Sequence, residues 1–229
     1  MSSNNLVIGD IISSAWEGIK KNLWIFVGVT FAFYLVILSI FSFAGGMSAI
    51  TALTANNIGS NPGAIFGLMF GGSMLLTMLL ILIVSYIFYI GYYSMALIVA
   101  DGGKPTLSVF TFSGSKIVNM IVAGLIVGIV VYIGTLLCII PGLYLAARLF
   151  LFGFFIIDED CNFIDAMKKS WEATKGEVLN IVLIILVLYL INILGAICCG
   201  VGMFVTTPMT VIALAILYRK LTNNYASVV

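Results

Sequence analysis

The chain has 229 residues, 62% of them hydrophobic and 8% charged, with a net charge of +1 and no histidine. A soluble domain carries roughly 25% charged residues, so this composition cannot cover a water-facing surface. The near-neutral balance, with no basic patch interleaved with aromatics, argues against nucleic acid as a partner.

All the charged residues except Arg148 fall in four short segments: 10–21, 101–116, 158–177 and 219–220. The stretches between them are almost wholly apolar. A helix crosses the ~30 Å hydrocarbon core with ~20 apolar residues. Residues 117–157 and 178–218 are 41 long each, so each predicts two crossings and a tight turn. Residues 22–100 supply two more.

The first charged segment predicts an amphipathic helix. Ile8, Ile12, Ala15, Trp16 and Ile19 recur at helical spacing, with Asp10, Glu17 and Lys20 elsewhere around the turn. Such a helix lies in the membrane interface with Trp16 as its anchor. The apolar run that follows exceeds the ~7–15 residues of a cleaved signal, so no signal peptide is expected. Residues 23–43 predict the first span and 44–61 an uncharged, glycine-rich loop. The second span starts after Pro62, covers 65–85, and continues through Tyr86, Phe88, Tyr89, Tyr92 and Tyr93, which read as an interfacial aromatic belt. Residues 94–100 are expected to project beyond the membrane or to reflect a tilted helix. Residues 101–105 make a turn, and Pro105 suits the first position of a short helix.

Residues 117–138 predict the third span, Ile140-Pro141-Gly142 a hairpin, and 143–157 the fourth. The acidic run Asp158-Glu159-Asp160 reads as a solvated helix end. The next segment predicts a second in-plane helix, with Phe163, Met167, Trp171 and Thr174 on one stripe and Trp171 as its anchor. Residues 178–197 predict the fifth span, 198–202 a turn and 203–218 the sixth.

Nine of the ten basic residues fall on one side of this six-helix arrangement. The positive-inside rule places that side, and both termini, in the cytoplasm. The fold class is therefore all-α: a polytopic membrane protein of six transmembrane helices with cytoplasmic interfacial amphipathic helices. One integral membrane domain spans 1–229, in units 5–100, 105–157 and 162–221. Residues 10–38 align without gaps on 165–193, pairing Asp10 with Asp165, Trp16-Glu17 with Trp171-Glu172 and Lys20 with Lys175. This predicts a parallel internal repeat, each unit an in-plane helix followed by a transmembrane hairpin; chance similarity between two amphipathic-plus-apolar segments is the alternative.

Arg148 is the costliest residue. It lies ten residues before Asp158, ~15 Å at helical rise, and an arginine at mid-membrane costs from ~3 to more than 10 kcal/mol. It reads either as a site for an anionic group, such as a lipid phosphate or a carboxylate, or as a structural donor to carbonyls freed where Pro141 and Pro208 interrupt helices. Snorkelling to an interface is a third reading. Tyr144, Thr206 and Thr207 complete the candidate site, the threonine hydroxyls re-satisfying backbone near Pro208. Gly63, Gly67 and Gly71, and Gly124 and Gly128, have the four-residue spacing that lets helices approach closely. Cys138, Cys198 and Cys199 gather near the outer face, where a disulfide is conceivable and apolar packing is the default. No metal site, cofactor or catalytic group is expected: there is no phosphate-cradling loop and no nucleophile beside a base.

Pro141-Gly142-Leu143-Tyr144, Arg148, Ile157-Asp158-Glu159, Ala166, Ser170-Trp171 and Lys175-Gly176, with Gly200–Gly202, Pro208 and Tyr218-Arg219, resemble a set of bacterial membrane families. These include the membrane domain attached to some glycerophosphodiester phosphodiesterases and the YciC-like six-helix proteins. The resemblance covers residues 137–220. It implies a six-helix bacterial inner-membrane fold with Arg148 as a family feature, and no shared activity. The expectation is a non-enzymatic inner-membrane accessory or scaffold protein that binds membrane lipid or another membrane protein. A small-molecule or peptide transporter, with a site near Arg148, is the alternative from another class. A lipid-processing enzyme is the third.

Overall fold

The computed structural model describes residues 8–55, 62–110, 114–197 and 202–226, with side chains at all of these but 48, 51, 52, 54, 55, 62–70 and 224–226. The described residues are mainly helical, without a strand: α1 (Ile8–Ala55), α2 (Pro62–Ala100), a 3₁₀ turn (Leu107–Phe110), α3 (Gly114–Leu137), α4 (Ile139–Leu149), α5 (Phe152–Glu159), α6 (Phe163–Ala173), α7 (Val178–Ile197) and α8 (Met203–Ala226). Six stretches are long and apolar enough to cross a membrane: Ile8–Met47, Gly71–Ala100, Gly114–Leu137, Ile139–Glu159, Val178–Ile197 and Met203–Asn223.

Several boundaries differ from expectation. The amphipathic segment and the first span form one helix, kinked at Asn22 (φ −126°, ψ 16°), whose amide donates to the Gly18 carbonyl at 3.0 Å. The predicted loop at 44–61 is helical to Ala55, because the tract after Gly45-Gly46 contains no proline before Pro62. The glycines cost only about 1 kcal/mol each in a helix interior. Residues 56–61 lie outside the described residues. The fourth span is two helices, α4 and α5, broken at Phe150 and Leu151. α8 runs past Tyr218 to Ala226.

By compactness the chain divides into two units, residues 28–88 and residues 1–27 with 89–229. In the first, Phe33 stacks on Phe88 at 4.0 Å. Its outward face is apolar, with Phe41, Leu75, Leu76 and Met78 exposed, and an apolar groove of about 660 Å³ is lined by Phe41, Met74, Met78 and Ile81.

The second unit holds the buried core. Two residues of the expected aromatic belt are part of it: Tyr92 is buried with Phe26 edge-on at 5.5 Å, and Tyr93 packs on Phe154 at 4.7 Å, whereas Tyr89 is exposed. Phe154 in turn stacks on Tyr218 at 5.4 Å. Met95, Ala96, Leu97 and Val99 are buried rather than projecting. Aromatic side chains suit a core as well as an interface, and only the neighbouring helices decide between the two.

Ile11, Ala15, Ile19 and Phe26 are all completely buried. So are Ala166, Ser170, Thr174 and Ile181, each 155 residues further on, the offset that carries Asp10 to Asp165. The kink at Asn22 falls at the same offset from Glu177, the residue between the turn after α6 and the start of α7. The inward face of α6 is thus Ala166, Ser170, Ala173 and Thr174. Of the expected stripe, only Thr174 is on it; Trp171 is exposed and Phe163 and Met167 are half-buried. Small residues win the buried face because α6 packs closely on α5 and α4.

Helices α3 and α4 form a tight hairpin with the turn at Cys138, which caps α4 in an extended conformation. Pro141 sits in the first turn of α4, where backbone N–H groups have no helical acceptor, so it interrupts nothing. A Cβ on Gly142 would stand 2.7 Å from the Thr135 backbone nitrogen, so only glycine lets the two helices meet there. At Gly71 and Gly128 a Cβ would meet nothing within 4 Å, so neither mediates a close helix contact. The surroundings of Gly63 and Gly67, and Cys198, Cys199 and Gly200 with their turn, lie outside the described residues. Cys138 is exposed.

Candidate functional site

Arg148 projects from the last turn of α4 and is 4% exposed. Counted along α5 it lies deep, but α6 packs back on α5 and α4 and brings Ser170 and Thr174 to it. Asn162 starts α6 as its N-cap, accepting from the Asp165 backbone N–H at 2.9 Å. Gly176, at φ +86°, closes the turn after it in the left-handed region. The Arg148 carbonyl accepts from Ser170 Oγ at 2.9 Å and from Thr174 Oγ1 at 3.2 Å. Its guanidinium makes one hydrogen bond, Nη1 to Thr174 Oγ1 at 3.3 Å. Nε is buried with no acceptor among the described residues.

Two aromatic rings complete the surroundings. The guanidinium carbon is 4.2 Å from the centroid of Trp171 and 6.0 Å from that of Tyr144, and the two rings meet edge-to-face at 6.1 Å. Trp171 is 39% exposed and Tyr144 45%, so the box reaches the surface. A desolvated cation–π contact contributes about 2 kcal/mol and a hydrogen bond to a hydroxyl about 1. These offset only the lowest estimates for burying an arginine, ~3 kcal/mol. No carboxylate pairs with this charge among the described residues.

The other expected members are elsewhere. Pro141 is exposed at the far end of α4. Pro208 is inside α8 and buried, as expected. Thr206 Oγ1 is buried without a partner among the described residues and packs toward Gly195 of α7. Thr210 Oγ1 donates to the Thr206 carbonyl at 2.9 Å and accepts from Asn192 Nδ2 at 2.6 Å. No hydrogen bond links Thr206, Thr207 or Pro208 to Arg148, whose donor goes to a side-chain hydroxyl and not to a proline-freed carbonyl. Trp16 is 42% exposed, with the Lys20 ammonium 5.1 Å over its ring.

A second polar cluster surrounds the acidic run at the end of α5: all three residues are exposed, as expected of a solvated helix end, and each also makes an ion pair. Asp158 pairs with Arg219 of α8 at 2.6 Å, Glu159 with Lys169 of α6, and Asp160 with Lys116 of α3 at 3.5 Å. Arg219 also grips Asp101, after α2, at 2.7 Å, and the Tyr218 hydroxyl donates to Asp158 at 2.9 Å. The hydrogen bond that Lys169 donates to the Glu159 carboxylate raises the Lys169 pKa above the ordinary lysine value. Burial pushes the nearby Cys161 thiol up. The sequence signal was there: Asp158 and Asp160 take basic residues from two other charged segments, and Glu159 takes one ten residues on in its own. Which one it meets depends on helix packing.

The family described as Domain of unknown function (DUF7847) matches residues 89–223, from the last third of α2 through most of α8. The stretch contains Arg148, Trp171 and the whole ion-pair hub. Uncharacterized protein Rv2560 of Mycobacterium tuberculosis (strain ATCC 25618 / H37Rv) is 26% identical over 239 residues, covering 98% of this chain and 71% of that protein. Uncharacterized protein Mb2590 of Mycobacterium bovis (strain ATCC BAA-935 / AF2122/97) is 25% identical over the same coverage. No solved structure matches the chain significantly. With more than half of its length matched, and with six apolar helices of spanning length, the chain belongs to the family described as Domain of unknown function (DUF7847).

Proposed function

We propose that this is a multi-pass bacterial inner-membrane protein with both termini in the cytoplasm, acting without catalysis as an accessory or scaffold that binds membrane lipid or a membrane partner. The observation that carries this reading is Arg148: a buried cation with no carboxylate among the described residues, walled by two half-open aromatic rings. Such a group calls for an anionic or π-rich occupant from outside the chain. Thr174 precedes α7 by only four residues, so Arg148 is near the first turn of that span, the end that the basic residues assign to the cytoplasm in this reading. The first turns of α1 and the whole of α6 act as interfacial helices anchored by Trp16 and Trp171. The four pairs of completely buried residues at a common offset, and the break at Asn22 opposite Glu177, support a parallel repeat in which these two helices are equivalent. Units 5–100, 105–157 and 162–221 follow from that repeat. Kinship with the membrane domain of glycerophosphodiester phosphodiesterases and the YciC-like proteins rests on the motifs from Pro141 to Tyr218-Arg219.

The test is gentle purification followed by native mass spectrometry. Retained lipid or a stoichiometric membrane protein is expected. A bare monomer carrying neither overturns the reading. A transport role is the second reading, favoured by Pro208 inside α8 beside the buried, unbonded Thr206 hydroxyl. A proline inside a helix removes one backbone hydrogen bond and leaves a polar carbonyl at that depth, the kind of group that lines substrate sites in transporters. Loss of solute uptake in Arg148→Gln at undiminished abundance would favour it.

A further inference from the structure

The same side chain type occurs twice in this unit, and the two differ in one respect. Arg219 presents Nε and Nη2, the parallel edge of its guanidinium, to the Asp101 carboxylate at 2.8 and 2.7 Å. Arg148 uses only Nη1, on Thr174. Its Nε–H is buried and unbonded, and no acceptor takes Nη2 among the described residues. The vacant edge is the one whose two N–H groups match two oxygens of a phosphate or carboxylate.

The surroundings are built for this arginine rather than shared by the fold. At the offset of 155, Ser170 and Thr174 correspond to Ala15 and Ile19, which are equally buried. Hydroxyls stand where the first copy has hydrocarbon, and both bond Arg148. They fix its backbone and Nη1, leaving the opposite edge of the guanidinium free to bind.

We propose that Arg148 is the receptor for a phosphate oxyanion, gripped through Nε–H and Nη2–H and flanked by Trp171 and Tyr144. This rests on the reading of the protein as a non-catalytic lipid or partner binder, and names the chemistry at that site. The oxyanion is carried either by an anionic phospholipid headgroup or by free inorganic phosphate. A monoanionic phosphodiester suits the headgroup case: one charge neutralises one arginine, while its acyl chains stay beside the apolar helices. Tyr144 and Trp171, both partly exposed and in edge-to-face contact with each other, are the side of the box that faces outward.

The experiment uses the full chain in phosphatidylcholine nanodiscs and reads the thermal unfolding midpoint. One arm adds phosphatidylglycerol to the disc, and another adds inorganic phosphate to the buffer. A saturable rise in the first arm supports the headgroup, and a rise in the second supports free phosphate. In Arg148→Gln the response weakens about tenfold or more, the loss of charge-assisted hydrogen bonds. Should that variant fail to accumulate, Arg148→Lys keeps the charge without the fork and shows a weakened response; an undiminished one overturns the two-point grip. No rise in either arm for the unaltered protein overturns the proposal. Lipid or protein that co-purifies equally with the unaltered chain and with Arg148→Gln overturns it too, and leaves the accessory reading standing. A chain that retains nothing at all sinks the accessory reading itself.

Discussion

Arg219 holds Asp101, 118 residues before it, through a two-point fork, Nε to Oδ1 at 2.8 Å and Nη2 to Oδ2 at 2.7 Å. The same guanidinium bonds both oxygens of Asp158, at 2.6 and 2.9 Å. One side chain thus joins α8, α5 and the turn after α2. The Arg219 side chain is 28% exposed, so solvent weakens the pairs without abolishing them. Arg219→Lys keeps the charge and loses the fork. We expect it to cost about 1–2 kcal/mol of unfolding free energy. In a cycle with Asp101→Asn and Arg219→Gln, coupling of about 0.5–3 kcal/mol is expected. Additivity of the two single changes would show that the clamp does not hold the helices.

Glycine at 142 is required by a backbone approach, and glycine at 128 is not. Gly142→Ala forces its Cβ against Thr135 and is expected to destabilise the α3–α4 hairpin by about 1–3 kcal/mol. Gly128→Ala meets open space and gains up to about 1 kcal/mol of helix propensity. Melting curves of the two variants in detergent should therefore move in opposite directions. Equal shifts would contradict this assignment of close contacts.

Asn192 and Thr210 form a side-chain hydrogen bond of 2.6 Å between α7 and α8. Bonds of this kind between membrane helices average ~0.6 kcal/mol, with a maximum near ~1.7. Asn192→Leu should lose an amount in that range, and Thr210→Val should add little once Asn192 is gone. Chemical denaturation of the single and double variants checks this.

Cys138 and Cys161 lie before α4 and after α5, at opposite ends of one candidate span. With Cys198 and Cys199 replaced by serine, an impermeant maleimide applied to intact cells should label Cys138 and spare Cys161. Permeabilised cells should label both. Burial pushes the Cys161 thiol above the ordinary range, and Cys161 Sγ donates to the Phe155 carbonyl at 3.4 Å. Its alkylation should therefore lag behind that of a free cysteine near neutral pH and rise as the solution becomes alkaline. Labelling of Cys161 from outside would invert the orientation drawn from the basic residues.

The sequence alone determined the class of the molecule: long apolar tracts and four charged segments require six helices able to span a membrane, because uncharged hydrocarbon surface has no other stable surrounding. It located α7 to the residue and set Pro208 inside the last span, since both depend on local composition. It singled out Arg148 for the same reason: one charge stands out in an apolar tract. Tertiary structure decided everything that needs two distant segments to meet. Tyr92 is in the core and not at an interface because Phe26 lies against it. Asp158, Glu159 and Asp160 became three separate ion pairs because α8, α6 and the start of α3 pass beside them. Arg148 found Ser170, Thr174 and Trp171 because α6 packs back on α4 and α5. Helical periodicity reports which residues share a face. The partner of that face is set by packing between segments far apart in the chain, which no local pattern records.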